Sequence, residues 1–246
     1  MTMSVYAISD IHGNLSIAKQ VVKIANQGNI VYNLGDCCDR GNHGWEIIKM
    51  FLTTENIVYL RGNHEDMLMR AMRPYFVRGD DEYRYTNAFE TWSLNGSAET
   101  EMGILSDDIN RARLYFGQLY ALHVTADYVN KSGQIIYMCH SGWEYFLRDD
   151  YHDLKYYEKI IWERNHYFEP HWKGYDNEYM IHGHTPIPYL IKEAIEDWPK
   201  NKDWETGALH YCGGHKIDID MLTIKSHKAC LIDLDTFEEI ILEGEE

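Results

Sequence analysis

Two aspartates and an arginine stand close together in residues 35–41, directly after a short apolar run. The run, residues 30–34, is typical of a buried strand that is bounded by turn residues. A strand that ends in Gly-Asp presents its carboxylate, here Asp36, at the edge where open α/β sheets build their sites. One carboxylate can bridge two metal ions, and ions about 3.5–4 Å apart can clamp the attacking and leaving oxygens of a phosphoryl displacement. Taken alone, the stretch is better explained as an ordinary strand followed by an Asp-Gly-rich turn.

The same pattern, an apolar run followed by a polar cluster with glycine, occurs at four further places. Asp10 and His12 lie two residues apart after the first run, so an extended strand end puts both on one side as a possible metal clip. The three other clusters contain Asn63, His64, His140 and His184. Successive parallel strands end at the same edge of a sheet, so these side chains can converge although they are far apart in sequence.

Helical spacing of apolar residues predicts the elements between the clusters. The predicted helices cover residues 15–26, 45–52, 65–72, 88–94 and 107–122. We expect the third helix to end before Pro74, because proline removes a backbone donor. The runs 228–234 and 237–242 predict a terminal hairpin. We expect a single domain over residues 1–246, with a helical insertion or cap at about 73–130.

Composition limits the classes of function. The chain has 246 residues, of which 45% are hydrophobic, enough for a sizeable core. A net charge of −16 repels a phosphate backbone and argues against nucleic-acid binding. No apolar stretch approaches the ~18 residues that span a bilayer, and the N-terminus lacks a signal-like segment. Five cysteines without CxxC spacing indicate thiols in a reducing compartment, so we expect a cytoplasmic protein without a membrane partner.

In their fixed order, the clusters resemble the motif set of the calcineurin-like metallophosphoesterases. The motifs are Asp10-x-His12-Gly13, Gly35-Asp36-x-x-Asp39-Arg40-Gly41, Gly62-Asn63-His64-Glu65, His140 before Ser-Gly, and Gly183-His184-Thr185. The similarity is to the phosphoprotein phosphatase branch, which includes bacterial Ser/Thr protein phosphatases and symmetrical dinucleoside tetraphosphatases. It implies an α/β (α+β) fold: a β-sandwich of mixed sheets flanked by helices, with the site at the carboxyl ends of strands.

The resemblance also implies two divalent metal ions, with manganese preferred and iron or zinc as alternatives. The first ion would be held by Asp10, His12 and Asp36. The second would be held by Asp36, Asn63, His140 and His184. A metal-bound hydroxide would attack phosphorus, because the ions lower the pKa of a bound water.

The remaining family positions concern the acid and the phosphate oxygens. His64 would protonate the leaving oxygen, and Asp39 would orient its imidazole. Three arginines would bind the phosphate oxygens, for which a planar bidentate donor is well suited. These are Arg40, Arg61 and Arg164.

The expected activity is hydrolysis of phosphate monoesters, above all phospho-Ser or phospho-Thr in proteins. Hydrolysis of dinucleoside polyphosphates or small nucleotides is the alternative, because the two activities share every catalytic residue. An inactive binding scaffold would have lost ligands or the acid, and all these positions are present. Acidic residues at 80–82, 99 and 101 predict a rim that favours basic residues around the phosphorylated side chain. The shortage of clustered Arg and Lys in the insertion argues against a tetraphosphate.

Overall fold

The computed structural model describes residues 3–79, 81–143, 157–164, 167, 172, 174–190 and 206–245, with only the backbone described at residue 81. It contains two five-stranded sheets. The strands are β1 (Val5–Ile8), β2 (Ile30–Asn33), β3 (Ile57–Tyr59), β4 (Thr125–Val129), β5 (Ile135–Cys139), β6 (Glu178–His182), β7 (Leu209–Tyr211), β8 (Lys216–Asp218), β9 (Lys228–Asp233) and β10 (Glu239–Glu243). The described α-helices are α1 (Leu15–Asn26), α2 (Gly44–Thr53), α3 (Asn63–Arg78), α4 (Asn87–Leu94), α5 (Ala98–Leu105), α6 (Ile109–Leu119), α7 (Tyr157–Trp162), α8 (Ile187–Leu190) and α9 (Thr223–Ser226).

The first sheet has the order β10-β9-β1-β2-β3. Its three βα units are parallel neighbours, with Val5 opposite Ile30 and Val31 opposite Ile57. β9 and β10 form the antiparallel hairpin that the sequence predicts. The second sheet has the order β4-β5-β6-β8-β7, in which β5, β6 and β8 are parallel and both edge strands are antiparallel. The mixed sheets flanked by helices confirm the predicted fold class.

Alternation along β1 shows how the layers are formed. Val5 and Ala7 pack into the core between the two sheets, together with Ile136 of β5 and Ile217 of β8. Ile8 packs on the opposite side, in the core beneath α1, α2 and α3. The central strand β1 is therefore buried on both faces, which holds in place the strand end that leads to Asp10.

The structure corrects the predicted end of α3, which continues through Pro74 to Arg78. Its apolar face extends beyond the proline: Phe76 is buried and stacks on Phe116 of α6, with ring centroids 4.3 Å apart. This packing offsets the backbone hydrogen bond that proline removes. The helix ends at Gly79, whose φ of 67° is the left-handed conformation typical of a helix C-terminus.

The segment at about 73–130 adds α4, α5 and α6, of which α5 has no counterpart among the predicted helices. Only one apolar side chain of α5, Ile104, is buried, so its sequence carries little helical periodicity. Trp92 of α4, Ile104 and Phe116 belong to the same hydrophobic core as the first three helices. Among the residues that the structure describes, no helix is long and apolar enough to cross a bilayer.

Candidate metal centre and active site

Each predicted metal ligand lies at or just beyond the carboxyl end of a strand. Asp10 follows β1 and Asp36 follows β2, while Asn63 begins α3 shortly after β3. In the second sheet, His140 follows β5 directly and His184 lies two residues beyond β6. The topology thereby brings side chains that are far apart in sequence to one edge of the sandwich.

The loops after β1 and β2 run side by side and pair through their backbones. Asp10 N–H donates to the Gly35 carbonyl and His12 N–H to the Asp36 carbonyl, both at 3.1 Å. Left-handed backbone conformations accompany this pairing, because the chain turns sharply at each ligand. Positive φ angles occur at Asp10, His12, Asp36, Asp39, Arg40 and His184. Such conformations cost free energy in non-glycine residues and are typical of functional sites.

Two glycines let the carboxylates lie directly against the backbone. A Cβ atom at Gly62 would collide with Oδ1 of Asp36, and one at Gly183 would collide with Oδ2 of Asp10. That Asp10 oxygen accepts the His184 N–H at 3.0 Å. The absence of a side chain at both positions is therefore a condition for the observed carboxylate positions.

The predicted ligands of the second ion converge closely. Nε2 of His140 lies 3.2 Å from Oδ2 of Asp36 and 2.9 Å from Oδ1 of Asn63. Nδ1 of His184 lies 2.9 Å from the same Asn63 oxygen and 3.2 Å from Nε2 of His140. Ligand atoms about 2 Å from one ion are about 3–4 Å from each other, so this spacing fits a coordination sphere.

The predicted ligands of the first ion are more widely spaced. Nε2 of His12 lies 3.9 Å from Oδ1 of Asp10 and 4.0 Å from Oδ2 of Asp36. The ligand atoms of His12, Asp36 and His64 also lie within 4.8 Å of one another. The geometry alone therefore allows either Asp10 or His64 as the third protein ligand beside His12 and Asp36.

Backbone carbonyls orient the three histidines of the predicted ligand set. In each ring, one nitrogen lies 3.0–3.3 Å from a carbonyl oxygen and the other points into the cluster. A ring that donates one N–H to a carbonyl presents its other nitrogen to the cluster, where that nitrogen can bind a metal once it has lost its proton. For His12, His140 and His184, the carbonyls belong to Cys38, Leu34 and Trp162.

Charges in this buried cluster influence each other strongly. Burial favours the neutral form of Asp36, but His140 and His64 outweigh it and hold the pKa of this carboxyl well below its usual value. Burial lowers the pKa of His140, whereas Asp36 and Asp10 raise it, and the net result is a pKa of about 9. A positive charge at His140 thus compensates the carboxylates, which is also what a bound cation would do.

Burial of the remaining ligands also favours the binding of a cation. Burial raises the pKa of Asp10 and lowers the pKa values of His12 and His184 well below the usual value. Oδ1 of Asp10 is buried and accepts no hydrogen bond from the described residues. A carboxylate oxygen without a donor, beside neutral imidazoles and a second carboxylate, is a suitable environment for divalent ions. The residues present therefore fit the predicted binuclear centre.

His64 lies next to this cluster and is completely buried. Its Nδ1 lies 2.8 Å from Oδ2 of Asp39, and its Nε2 accepts a hydrogen bond from Arg40 Nη2 at 2.9 Å. Arg40 Nη1 donates to Nε2 of His12 at 2.8 Å. Burial lowers the pKa of His64, but Asp36 and Asp39 raise it more, so the net pKa is raised. One guanidinium group therefore joins a predicted metal ligand to the predicted acid.

The other two predicted phosphate-binding arginines differ in placement. Arg61 is held at the end of α6: Nη2 donates to the carbonyls of Leu119, Tyr120 and Leu122 at 3.1, 3.0 and 3.3 Å. None of the hydrogen bonds described for its side chain goes to the ligand cluster. Arg164 Nε donates to Oγ1 of Thr185 at 3.1 Å, beside His184. Arg164 therefore lies at the site with Arg40, and phosphate binding by Arg61 stays a prediction.

The motif pattern assigns no role to Glu65, yet its side chain binds the backbone of the loop that carries Asp36. The carboxylate is completely buried and accepts N–H groups of Asp36, Cys37 and Gly62 at 2.9, 3.0 and 2.9 Å. It also accepts the hydroxyl of Tyr59 at 2.8 Å. Its position three residues after Gly62, at the start of a helix, is the sequence signal that identifies such a carboxylate.

We expect Glu65→Gln to lower the free energy of unfolding by roughly 2–4 kcal/mol, because an amide NH₂ would face buried N–H donors. Urea unfolding of both proteins measures this difference. Glu55→Gln, at an exposed position, is the control and should change stability by less than about 0.5 kcal/mol. Equal stability of the two variants would show that the carboxylate does not hold the loop.

Two clefts meet at Arg40, one on each side of the cluster. The first, called the Arg164 cleft, has a volume of about 520 Å³. It is lined by Arg40, Arg164, Tyr167, His184, Thr185, Pro186, Tyr189, Leu190, Leu222, Ile224 and Lys225. The second, called the Lys19 cleft, has a volume of about 540 Å³. It is lined by residues 12–16, Lys19, residues 40–43, Thr223, Ile224, His227 and Glu245.

The side chains predicted to form an acidic rim do not line these two clefts, where the structure describes them. Neither cleft is lined by Glu82, Glu99 or Glu101. The Glu101 carboxylate instead pairs with Arg84 at 2.6 Å. The predicted side chains of residues 80 and 81 lie outside the described part. The lysines that line the clefts lie outside the predicted insertion: Lys19 is on α1 and Lys225 is on α9.

A sequence model described as calcineurin-like phosphoesterase matches residues 3–216. The chain belongs to the calcineurin-like phosphoesterase family. This confirms the resemblance carried by the five motifs, and it identifies the chain as a metallophosphoesterase. No curated protein sequence is similar enough to the chain to count as a match.

Solved structures of phosphoesterases share the fold at low sequence identity. A candidate diadenosine tetraphosphatase is 14% identical, with a TM-score of 0.58 over 100% of this chain and 96% of that one. A cold-active protein tyrosine phosphatase is 15% identical, with a TM-score of 0.53 over 98% and 76% of the two chains. A protein serine/threonine phosphatase from Saccharomyces cerevisiae is 13% identical, with a TM-score of 0.50 over 99% and 81%. Their names cover three kinds of substrate, so the shared fold does not choose between them.

Proposed function

We propose that this metallophosphoesterase hydrolyses phosphate monoesters, in particular phospho-Ser and phospho-Thr in proteins. The observation that carries the proposal is the position of Arg40. Its guanidinium group reaches His12 and His64 at 2.8 and 2.9 Å. A single phosphoryl group bound there would lie between the metal ligands and the acid.

In this proposal, Asp10, His12, Asp36, Asn63, His140 and His184 hold the two ions. When bound, divalent ions would supply Lewis acidity for activation of the attacking water and neutralisation of the phosphoryl oxygens. Manganese suits the mixed nitrogen and oxygen ligands, and iron or zinc is compatible with them. We also propose a cytoplasmic location, because all five cysteines carry reduced thiols, as is usual in a reducing compartment.

The protein's own groups then orient the substrate and move one proton. Arg40 and Arg164 donate to the phosphoryl oxygens, where Arg40 would exchange its bonds to the imidazoles for bonds to substrate. His64 donates a proton from Nε2 to the departing serine or threonine oxygen, while Asp39 stabilises the ring through Nδ1. Burial of His64 and of the ligands excludes bulk water and strengthens these interactions.

The Arg164 cleft suits a peptide beside the phosphorylated residue. Tyr189, Leu190 and Ile224 offer apolar surface, while Arg164 and Lys225 supply positive charge. No carboxylate is found among the described residues that line this cleft. We therefore propose a preference for acidic residues next to the phosphoamino acid, which replaces the expected preference for basic ones.

A dinucleoside polyphosphate is the second candidate, favoured by the Lys19 cleft. This cleft leads from His12 and Arg40 to Lys19, His43 and His227, so further phosphates would meet positive or protonatable groups. One of the structurally similar proteins is named as a candidate diadenosine tetraphosphatase.

The two candidates predict different results in one set of assays. We expect kcat/KM to be highest for an acidic phosphoserine peptide, lower for a basic one and lowest for diadenosine tetraphosphate, at equal ionic strength. Lys225→Glu should reduce kcat/KM for the acidic peptide by about 5–10-fold, because it reverses a charge in the peptide cleft.

Lys19→Glu is the matched variant in the other cleft, and it should leave the peptide reaction nearly unchanged. If diadenosine tetraphosphate reacts at least about tenfold faster than the peptides and Lys19→Glu abolishes that advantage, the dinucleotide is the substrate.

A further inference from the structure

The Asp39 carboxylate is bound by a side chain that no catalytic motif contains. Trp92 of α4 is completely buried, and its indole Nε1–H donates to Oδ2 of Asp39 at 2.8 Å. The same oxygen lies 2.8 Å from Nδ1 of His64. Oδ1 of Asp39 is also buried and accepts no hydrogen bond from the described residues. The rotation of this carboxylate is thus fixed through one oxygen, by Trp92 on one side and His64 on the other.

The turn after α4 and the first turn of α5 also hold the backbone beneath the carboxylate. Asp39 N–H donates to Oγ1 of Thr100 at 3.0 Å, and Arg40 N–H donates to the Gly96 carbonyl at 2.8 Å. Asp39 and Arg40 both have a φ angle of 64°, a conformation that needs such external support. Gly96 lies so close that a Cβ there would be 3.1 Å from Cγ of Arg40.

We propose that Trp92 is a positioning residue for the reaction: through Asp39 it fixes the orientation of the His64 ring. This inference rests on the proposed function only in giving His64 the role of acid. The hydrogen bond described for the Trp92 indole goes to Asp39, so its contribution passes through one carboxylate oxygen. The helical segment after α3 therefore takes part in catalysis by holding the acid, whatever its role in substrate recognition.

Trp92→Phe tests the proposal, because it removes the indole N–H and keeps an aromatic ring in the core. Trp45→Phe is a closely matched control: Trp45 is buried in the same core and donates its Nε1–H to a carboxylate oxygen, Oδ2 of Asp107, at 2.9 Å. Each variant is made in the wild-type and in the His64→Asn background. Thr100→Val provides a second variant, which removes the acceptor of the Asp39 N–H.

We expect Trp92→Phe to lower kcat on a phosphoserine peptide by about 10-fold, with KM changed less than about twofold, because the acid is misplaced and not lost. On p-nitrophenyl phosphate, which needs little protonation, the loss should be below about twofold. In the His64→Asn background the variant should have no further effect. Trp45→Phe should change none of these rates, and Thr100→Val should reproduce the leaving-group dependence.

A second readout does not depend on activity. In metal-free protein labelled with ¹⁵N-histidine, the Nδ1–H signal of His64 should shift or broaden in Trp92→Phe and stay in place in Trp45→Phe. An unchanged signal, equal losses on both phosphate esters, or a tenfold loss that persists without His64 would each overturn the proposal. If His64→Asn itself leaves both rates unchanged, the proposed acid role fails, and the His64 signal alone decides whether Trp92 positions the ring.

Discussion

Replacement of His64 by asparagine should lower kcat on a phosphoserine peptide by roughly 10²–10⁴-fold, the usual contribution of a general acid. The loss on p-nitrophenyl phosphate should be much smaller, because its leaving group departs without a proton. The reason is the place of His64 in the structure. Its Nδ1 is engaged with Asp39, whereas its Nε2, the nitrogen that would carry the transferred proton, faces Arg40 and the ligand cluster.

Metal content distinguishes the acid from a ligand, since the geometry alone allows His64 beside His12 and Asp36. We expect the His64→Asn variant to bind two manganese ions per chain, as measured by elemental analysis after equilibrium dialysis. The exposed His123 offers the control His123→Asn, which should behave as wild type. Loss of one ion would make His64 a ligand, and equal rate losses on both substrates would contradict its role as acid.

Removal of the shared ligand should have a larger effect than removal of any other metal ligand. Asp36→Asn preserves the shape of the side chain but removes the charge that both ions need. We expect loss of both ions and a fall in kcat of at least about 10³-fold, corresponding to several kcal/mol of transition-state stabilisation. Treatment of the wild-type protein with a chelator should reproduce this loss, and added manganese should reverse it.

Thermal unfolding provides a measurement of the same interaction without substrate. Manganese should raise the Tm of the wild-type protein, because a ligand that binds only the folded state stabilises it. Asp36→Asn should abolish this shift, whereas Asp127→Asn on the exposed face of β4 should retain it. A normal shift in the Asp36 variant, or full activity of a chelated and metal-analysed sample, would refute the binuclear centre.

Sequence patterns located the strand ends because each ligand lies close to an apolar run in the chain. The parallel order of β1, β2 and β3 followed from the rules for βα units, and Asp10, Asp36 and Asn63 meet as that order requires. Local patterns could not reveal Trp92, because its partner Asp39 is 53 residues away and indole is an ordinary core group.

The surroundings of the site could not be predicted for a related reason. Cleft walls depend on how distant elements pack, and Lys19 and Lys225 reach the site from opposite parts of the chain. Pro74 was misjudged because a local rule about proline gave way to the burial of Phe76. In each case a tertiary contact decided the outcome.

The left-handed backbone of the ligand loops influences which residues a selection for stability would retain there. Six residues of the site adopt positive φ angles, a conformation that glycine reaches at little cost and that other residues adopt at about 1–3 kcal/mol each. A library of variants selected only for resistance to heat should therefore accumulate glycine at the exposed Arg40, and lose turnover as it does so. A lineage that retains arginine there is one in which turnover has been under selection.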